Sequence, residues 1–597
     1  MIWYYPPHQY ELGMLHELVR AGFSANRHVD YARNYGDVAG TAEFRIDGGA
    51  PFRVTGRPPV LVREQAAASV EARLDGGGWH PARAVQAHGD APPHIEPEPI
   101  VRVPLELRDG LWEAEGPLLG RPVFAAAAPP VIMSGESREE ALSDPETAET
   151  RHDVVRRPDG LWTTVHRLGF RFLRIEGDAP LGPVNVDAAR RPAPRRGSFA
   201  CSDPELTRIW ELSADTLHAC MQGLMLDGVK RDRMPWIGDQ ALNVLANAYA
   251  FGDGEIVADS LTALGRPRDG YVNGIADYSL WWLIATGFYA RTCDASSYLA
   301  AEADHLHAFT ARLARLAGPD GFLRPTPTDD DFPRLVFIDW GVDVDSGRDS
   351  TALQVLWYWA LRSAGAALRA AGHTGSQHWE EIAATVLASL RRTAWDPAAG
   401  AWREYADGVS AVSPYPGFLA VLAGIDDGTA PGGRELLLST PRAGTPFMTG
   451  FLLRSLIELG ETGTAVHRIR ELWGGMVDAG ARSFWEEFAD DAGPSSSAMY
   501  GRPFGKSLCH AWSSSPAALL PEAILGIRPL ADGWSRFAVD PRLGDLEWAE
   551  ARIPAPQGDI LVRVDARGMT VTAPPGTVPV VPGGERTASI SAGMPSP

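Results

Sequence analysis

The chain has 597 residues, with 55 Lys and Arg against 75 Asp and Glu, a formal net charge of −20. An acidic chain with no long basic run argues against a nucleic-acid binder, whose affinity rests on neutralising phosphates. A hydrophobic content of 45% excludes global disorder. At roughly 100–200 residues per domain, the length predicts two to four domains. The longest apolar stretch, Leu280 to Ala290, falls short of the roughly 20 residues that a bilayer span takes. The first residues, Met1 to Pro7, carry neither a basic n-region nor an apolar h-region. Cys201, Cys220, Cys293 and Cys509 are too few and too scattered for a disulfide scaffold. The expectation is a cytoplasmic protein with reduced thiols and no membrane or nucleic-acid partner.

Residues 1–195 read as β-rich. Short apolar runs at 43–46, 59–62, 68–74, 100–107 and 170–175 are separated by Gly and Pro, and the last two alternate so that apolar side chains share one face. This pattern predicts an N-terminal β-sandwich region, with room for two subdomains. Arg191 to Arg196, rich in Arg and Pro, reads as a linker.

Near residue 200 the pattern becomes helical. Ser202-Asp-Pro-Glu205 reads as a helix start, with Ser202 as the cap, Pro in the first turn and Glu three residues after the Ser. Helices are expected over 239–251, 278–293, 300–317, 350–371, 379–393, 416–422, 449–459, 465–473 and 516–525. So many helices within 200–525 predict an all-α toroid. A solenoid is the alternative, although no fixed-period repeat supports it. From 526 to 597 the chain returns to β runs at 535–539, 559–564 and 569–572, ending in a Pro/Gly/Ser tail from Pro582 expected to be mobile.

Nucleotide-binding, zinc and nucleophile-elbow motifs are missing. Asp343-Val-Asp-Ser-Gly-Arg-Asp349 partly imitates a calcium loop but lacks the twelfth-position Glu, so no metal and no cofactor is expected. The middle of the chain, residues 200–520, holds 13 of the 19 Trp residues. Trp is first of all a core residue, but Trp among many carboxylates also suits a sugar site.

Three segments concentrate this pairing. Asp227-Gly-Val-Lys-Arg-Asp232-Arg-Met-Pro-Trp236-Ile-Gly-Asp239 places three carboxylates, three cations and a Trp within one loop. Its bland reading is a surface ion-pair loop ending in Asp239 as a helix cap. Phe337-Ile-Asp339-Trp340-Gly repeats the acid–Trp pair. Phe484-Trp485-Glu486-Glu487-Phe is followed by Ser507-Leu-Cys-His510-Ala-Trp512. A carboxylate flanked by aromatics could have its pKa raised by desolvation, as acid–base work requires; the bland reading is an acidic helix end beside a core Trp.

Taken in series, Lys-Arg-Asp-Arg with Trp-x-Gly-Asp, Asp-Trp-Gly, Trp-Glu and Ser-Leu-Cys-His-Ala-Trp resemble glycoside hydrolase family 78, the α-L-rhamnosidases. Ser134-Gly-Glu-Ser-Arg-Glu-Glu-Ala and Pro521-Glu-Ala-Ile-Leu-Gly-Ile add to the resemblance. It implies a central (α/α)6 barrel flanked by N- and C-terminal β-sandwich domains, and inverting exo-hydrolysis of terminal α-L-rhamnose. It puts the general acid at Asp232, where many relatives carry Glu, and the base at Glu486. It puts sugar-holding roles on Asp227, Arg231, Trp236, Asp239, Asp339, Trp340, Trp485 and His510. The implied partner is a carbohydrate or glycoside. Two rivals remain open at this level: another inverting glycosidase on the same barrel, and a non-catalytic carbohydrate-binding relative.

Overall fold

The structure is a computed structural model. It describes residues 100–581 except 146–147, 149, 166, 231–232, 268–269, 328–334, 489–497 and 500–502. Outside that span it describes 2–5, 41–46, 52–55, 60–62, 70–74, 78–81, 83–87 and 588–592.

Up to residue 201 the described elements are strands, with one short helix at Arg138–Leu142. The largest sheet is antiparallel and centres on Leu111–Phe124. That strand pairs with Leu168–Glu176, Trp162–Thr164 and Asn185–Ala189, and its register shifts between Glu113 and Leu118. Phe170 and Leu173 fill the core beneath it with Phe124, Ile132 and Val186, whereas Phe172 packs apart with Leu111 and Ala141, so the apolar residues of 170–175 do not share one face as the alternation predicts. The other alternating run departs from expectation. Ile100 is 53% exposed, Val101 43% and Leu107 59%, because among the described residues Ile100–Pro104 pairs only with Asn185–Ala189, at the margin of the sheet.

Among the described residues, twelve helices of eight or more residues lie between 204 and 525. Six alternate members form a ring: Ile237–Ala250, Ala276–Thr292, Thr351–Ala370, Pro414–Leu422, Pro446–Glu458 and Pro516–Leu525. Each packs on the next, and the last packs back on the first. The intervening helices lie outside this ring, and their composition reflects it. Every residue of Ile237–Ala250 is buried, whereas Ser376–Thr393 buries only Trp379, Ala383, Val386, Ser389 and Leu390, a stripe at helical spacing.

The expected helices are all present. Two more, Gly254–Leu264 and Pro431–Ser439, are not among those expected. Two caps also shift. Asp203, not Ser202, caps Pro204–Cys220, taking the N–H groups of Glu205 and Leu206 at 2.9 and 3.4 Å. Ser202 instead accepts from the Glu547 amide at 2.9 Å. Asp239 is not a cap: its helix begins at Ile237, whose N–H is met by the Asn273 side chain at 3.0 Å.

The linker is anchored to the helical segment through Arg191–Asp253 at 2.7 Å and to the C-terminal strands through Arg196–Asp559 at 2.8 Å. Ser198–Cys201 then crosses to the far end of the chain and pairs with Ala549–Ala555. That sheet continues through Gly558–Asp565, Gly568–Ala573 and Ala588–Ala592. The last strand falls in the tail expected to be mobile; residues 582–587 and 593–597 lie outside the described residues. No helix among the described residues is long and apolar enough to cross a membrane.

Candidate active site

The three acid–Trp segments converge at one end of the helical ring. Their residues come from, or lie just before, the N-terminal ends of the inner helices. Asp239 and Asp277 sit in first turns, Tyr415 opens Pro414–Leu422, Thr445 caps Pro446–Glu458, and His510 shortly precedes Pro516–Leu525. Helix N-termini present partial positive charge, so carboxylates are favoured there.

Backbone pairing holds the loops side by side. The Glu486 amide donates to the Ser507 carbonyl and the His510 amide to the Phe484 carbonyl, each at 2.9 Å. On the other edge, the Ala511 amide donates to the Asp227 carbonyl at 2.6 Å, and Gly228 bridges to His510. The first motif and the Trp-Glu motif are therefore both laid against residues 507–511.

Glu486 is 3% exposed. Its Oε2 accepts the Ser507 N–H at 2.8 Å, and its carbonyl accepts the Trp512 indole N–H at 2.9 Å. Its neighbour Glu487 points elsewhere, with a side chain 44% exposed and paired to Lys506.

Asp227 uses Oδ1 to accept the Met234 amide at 2.9 Å, closing its own loop. Its Oδ2 lies 4.0 Å from His510 Nε2, while His510 Nδ1 lies 3.5 Å from Asp239 Oδ1. This imidazole thus sits between two buried carboxylates, with its ring 4.3 Å from that of Trp512. Trp236, Tyr278, Phe337 and Trp340 form a chain of edge-on contacts with centroids 4.9–6.0 Å apart. Asp232 and Arg231, the expected acid and its neighbour, lie outside the described residues.

Asp339 has 0% exposure. It accepts the Thr445 hydroxyl at 2.7 Å, the Thr445 amide at 3.0 Å and the Tyr415 hydroxyl at 3.3 Å. These bonds tie the 335–341 loop to two inner helices, and burial pushes the Asp339 carboxyl up to about 6. Asp277, also pushed up to about 6 by burial, holds the same loop from the other side through the Phe337 and Ile338 amides at 2.7 and 3.1 Å.

Tyr278 was not among the expected site residues. Burial, together with Asp239, Asp277, Asp339 and Asp227, pushes its hydroxyl well above the usual range, and its ring packs edge-on between Trp236 and Phe337. Its only signal in the sequence was its position after Asp277 at a helix start. Non-glycine residues with positive φ gather in these loops: Arg233 at 59°, Asn273 at 52°, Ile338 at 56° and Phe504 at 58°. Such conformations cost of order 1–3 kcal/mol each and cluster at functional sites.

The N-terminal β region closes one flank. A Cβ on Gly169 would come 2.0 Å from the Val229 carbonyl oxygen, so this strand lies directly on the first motif. On the side of Trp485 that faces the N-terminal β region, Glu136, Arg138, Arg171, Phe172 and Arg482 line a cavity of about 260 Å³.

Residues 194–278 match the family model described as the bacterial α-L-rhamnosidase six-hairpin glycosidase domain, and residues 526–589 match the bacterial α-L-rhamnosidase C-terminal domain. No curated protein sequence matches the chain. Among solved structures, the chain is similar in fold to the family 78 rhamnosidase of Bacillus sp. GL1, with 22% identity and a TM-score of 0.68 over 92% of this chain and 64% of that one. The rhamnosidase of Klebsiella oxytoca with rhamnose bound has 22% identity and a TM-score of 0.57, over 74% of this chain and 91% of that one. The Streptomyces avermitilis α-L-rhamnosidase complexed with L-rhamnose has 16% identity and a TM-score of 0.65, over 90% of this chain and 57% of that one. The chain thus spans 64% of the length of the Bacillus protein and 57% of the Streptomyces protein. The chain thus carries two segments that match bacterial α-L-rhamnosidase domains, on a fold similar to that of family 78 rhamnosidases.

Proposed function

We propose that the chain is an inverting exo-α-L-rhamnosidase whose ring of helices is an (α/α)6 barrel between β-sandwich domains of about 1–195 and 526–597. The observation that carries this reading is Glu486: a carboxylate buried at the mouth of the ring, held by the Ser507 amide, and packed beside Trp485 and Trp512. A base must be fixed in one orientation to take a proton from water, and this cradle supports that role. Glu486 activates the water; Asp232 protonates the leaving oxygen from across the sugar. Inversion requires the two carboxyl groups to stand about 6.5–9.5 Å apart with the water between base and anomeric carbon.

The other residues divide into two tasks. Asp227, Asp239 and His510 present polar atoms at the mouth, and with Arg231 they bond to sugar hydroxyls. Trp236, Trp340 and Trp485 supply apolar faces for the ring carbons and the methyl group. Asp339 acts at one remove, since its oxygens hold Thr445 and Tyr415; it keeps Trp340 in place.

A panel of aryl glycosides tests the reading. Turnover of the α-L-rhamnoside well above the α-L-arabinoside, α-D-mannoside and β-D-glucoside is the expected result. Preference for another sugar would move the specificity and leave the mechanism. Tight rhamnose binding without turnover of any member would make the chain a binding protein.

A further inference from the structure

The turn that precedes the short helix Arg138–Leu142 reaches out of the N-terminal β region and into the active-site wall. Ser137 caps this helix by accepting the Glu140 amide at 3.1 Å, and the Glu140 carboxylate returns to the Glu136 amide at 2.8 Å. This reciprocal capping arrangement fixes the direction of Glu136. Gly135 is needed for the turn, since a Cβ there would come 2.5 Å from the Ala141 nitrogen.

Glu136 is itself buried, 5% exposed. Its Oε2 accepts the Leu508 amide at 2.6 Å, and its Oε1 accepts the Ser507 hydroxyl at 3.2 Å. Lys230 Nζ stands 3.2 Å from the same Oε2 and 3.1 Å from Glu140 Oε1, and donates to the carbonyl of left-handed Phe504 at 2.8 Å. One carboxylate from the N-terminal β region therefore grips both active-site segments: the first motif through Lys230, and residues 507–508 directly. Ser507, whose hydroxyl it holds, presents its amide to Glu486 Oε2 at 2.8 Å.

A buried ion cluster is weak evidence for stability, because desolvation offsets the attraction between the charges. Its effect here is geometric: it couples the depth of the Ser507 amide to the position of the first motif. We propose that Glu136 is a positioning residue for Glu486, so that the N-terminal β region completes the reaction centre. Glu136 does not touch the sugar or the water; it acts through Ser507, Leu508 and Lys230. The inference rests on the glycosidase reading above.

The test compares Glu136→Gln, Ser507→Ala and Asp187→Asn in the full chain, using an aryl α-L-rhamnoside. The last variant breaks ion pairs to Arg102 and Arg157 in the same β region, away from the site. Misplacing a catalytic group by a fraction of an ångström costs turnover more than affinity. Glu136→Gln is therefore expected to lower kcat by about tenfold or more with KM within about threefold. Ser507→Ala should follow in the same direction, and Asp187→Asn should affect only the melting temperature. If Glu136→Gln does not fold, Glu136→Asp keeps the charge near Lys230 but falls short of Leu508, and the same split is expected. Unchanged kcat in a folded Glu136 variant, or a loss confined to KM or melting temperature, overturns the proposal. Failure of the wild-type chain to turn over any aryl glycoside defeats the glycosidase reading instead. Amide exchange then decides the positioning claim without turnover. Faster exchange at 484–488 and 504–510 with 351–370 unchanged sustains it, and unchanged exchange overturns it.

Discussion

Glu486→Gln is the change that separates fold from chemistry most cleanly. Gln keeps the size and one carbonyl oxygen, so the Ser507 amide at 2.8 Å retains an acceptor, and the Trp512 bond to the main-chain carbonyl is untouched. Trading a charge-assisted bond for a neutral one costs about 1 kcal/mol, partly offset because a charge is no longer buried. In a chain of this size that moves Tm by only about 1 °C. The chemistry has no such tolerance, because the amide cannot accept a proton from water. General-base catalysis contributes roughly 10²–10⁴-fold, or about 3–5 kcal/mol of barrier. Glu487→Gln removes a surface pair with Lys506, worth at most about 1 kcal/mol, and should leave kcat within about threefold. The assay is kcat on an aryl α-L-rhamnoside beside a melting curve for each variant. Retention by Glu486→Gln of more than about a tenth of wild-type kcat would refute the assignment. A larger loss from Glu487→Gln would move the base by one residue.

Three further outcomes are expected. Asp232→Asn should cut hydrolysis of rhamnosides with poor leaving groups by orders of magnitude and spare activated aryl rhamnosides, since general-acid help matters most for a basic leaving oxygen; equal losses on both would point away from Asp232. Gly169→Ala should cost about 1–3 kcal/mol and lower turnover, because its Cβ would meet the Val229 carbonyl at 2.0 Å; Gly116→Ala, with open space around its Cβ, should do neither, and equal behaviour of the two in melting and kcat would contradict the docking described. Asp339 has a folded value of about 6, above the unfolded value of about 3.9, so the folded state holds the extra proton between these values. Its contribution is therefore full below about pH 4 and falls by about 3 kcal/mol as pH rises past 6. Asp339→Asn should flatten that part of the stability–pH curve, and an unchanged curve in urea melts from pH 4 to 7 would count against it.

What could be read from the sequence followed from local chemistry. Helix starts with Pro in the first turn and helical periodicity located most of the helices, although the cap itself moved from Ser202 to Asp203. The convergence of Asp227, Asp239, Asp339, Trp485 and His510 could be anticipated only through the resemblance, since the ring that joins them depends on long-range packing. Pairing of Ser198–Cys201 with Ala549–Ala555 spans some 350 residues and leaves no local trace. Neither does the role of Glu136: its capping motif is legible, but nothing in residues 134–141 announces that the carboxylate meets Leu508, 372 residues away. A single Tyr at a helix start looks like core, so Tyr278 carries no local sign of its place in the site. The run 100–107 shows the reverse failure, an alternation that reads as a buried face but stands exposed at a sheet margin.

The most direct test of the central claim is the anomeric configuration of the first sugar released. In an inverting reaction, Glu486 delivers water to the face opposite the leaving group and no covalent sugar–enzyme intermediate forms. Proton NMR of an α-L-rhamnoside digest in the first minutes, before mutarotation, should show β-L-rhamnose accumulating ahead of the α-anomer. Appearance of α-L-rhamnose first would mean retention, and the assignment of Glu486 as a base and Asp232 as its opposing acid would have to be abandoned.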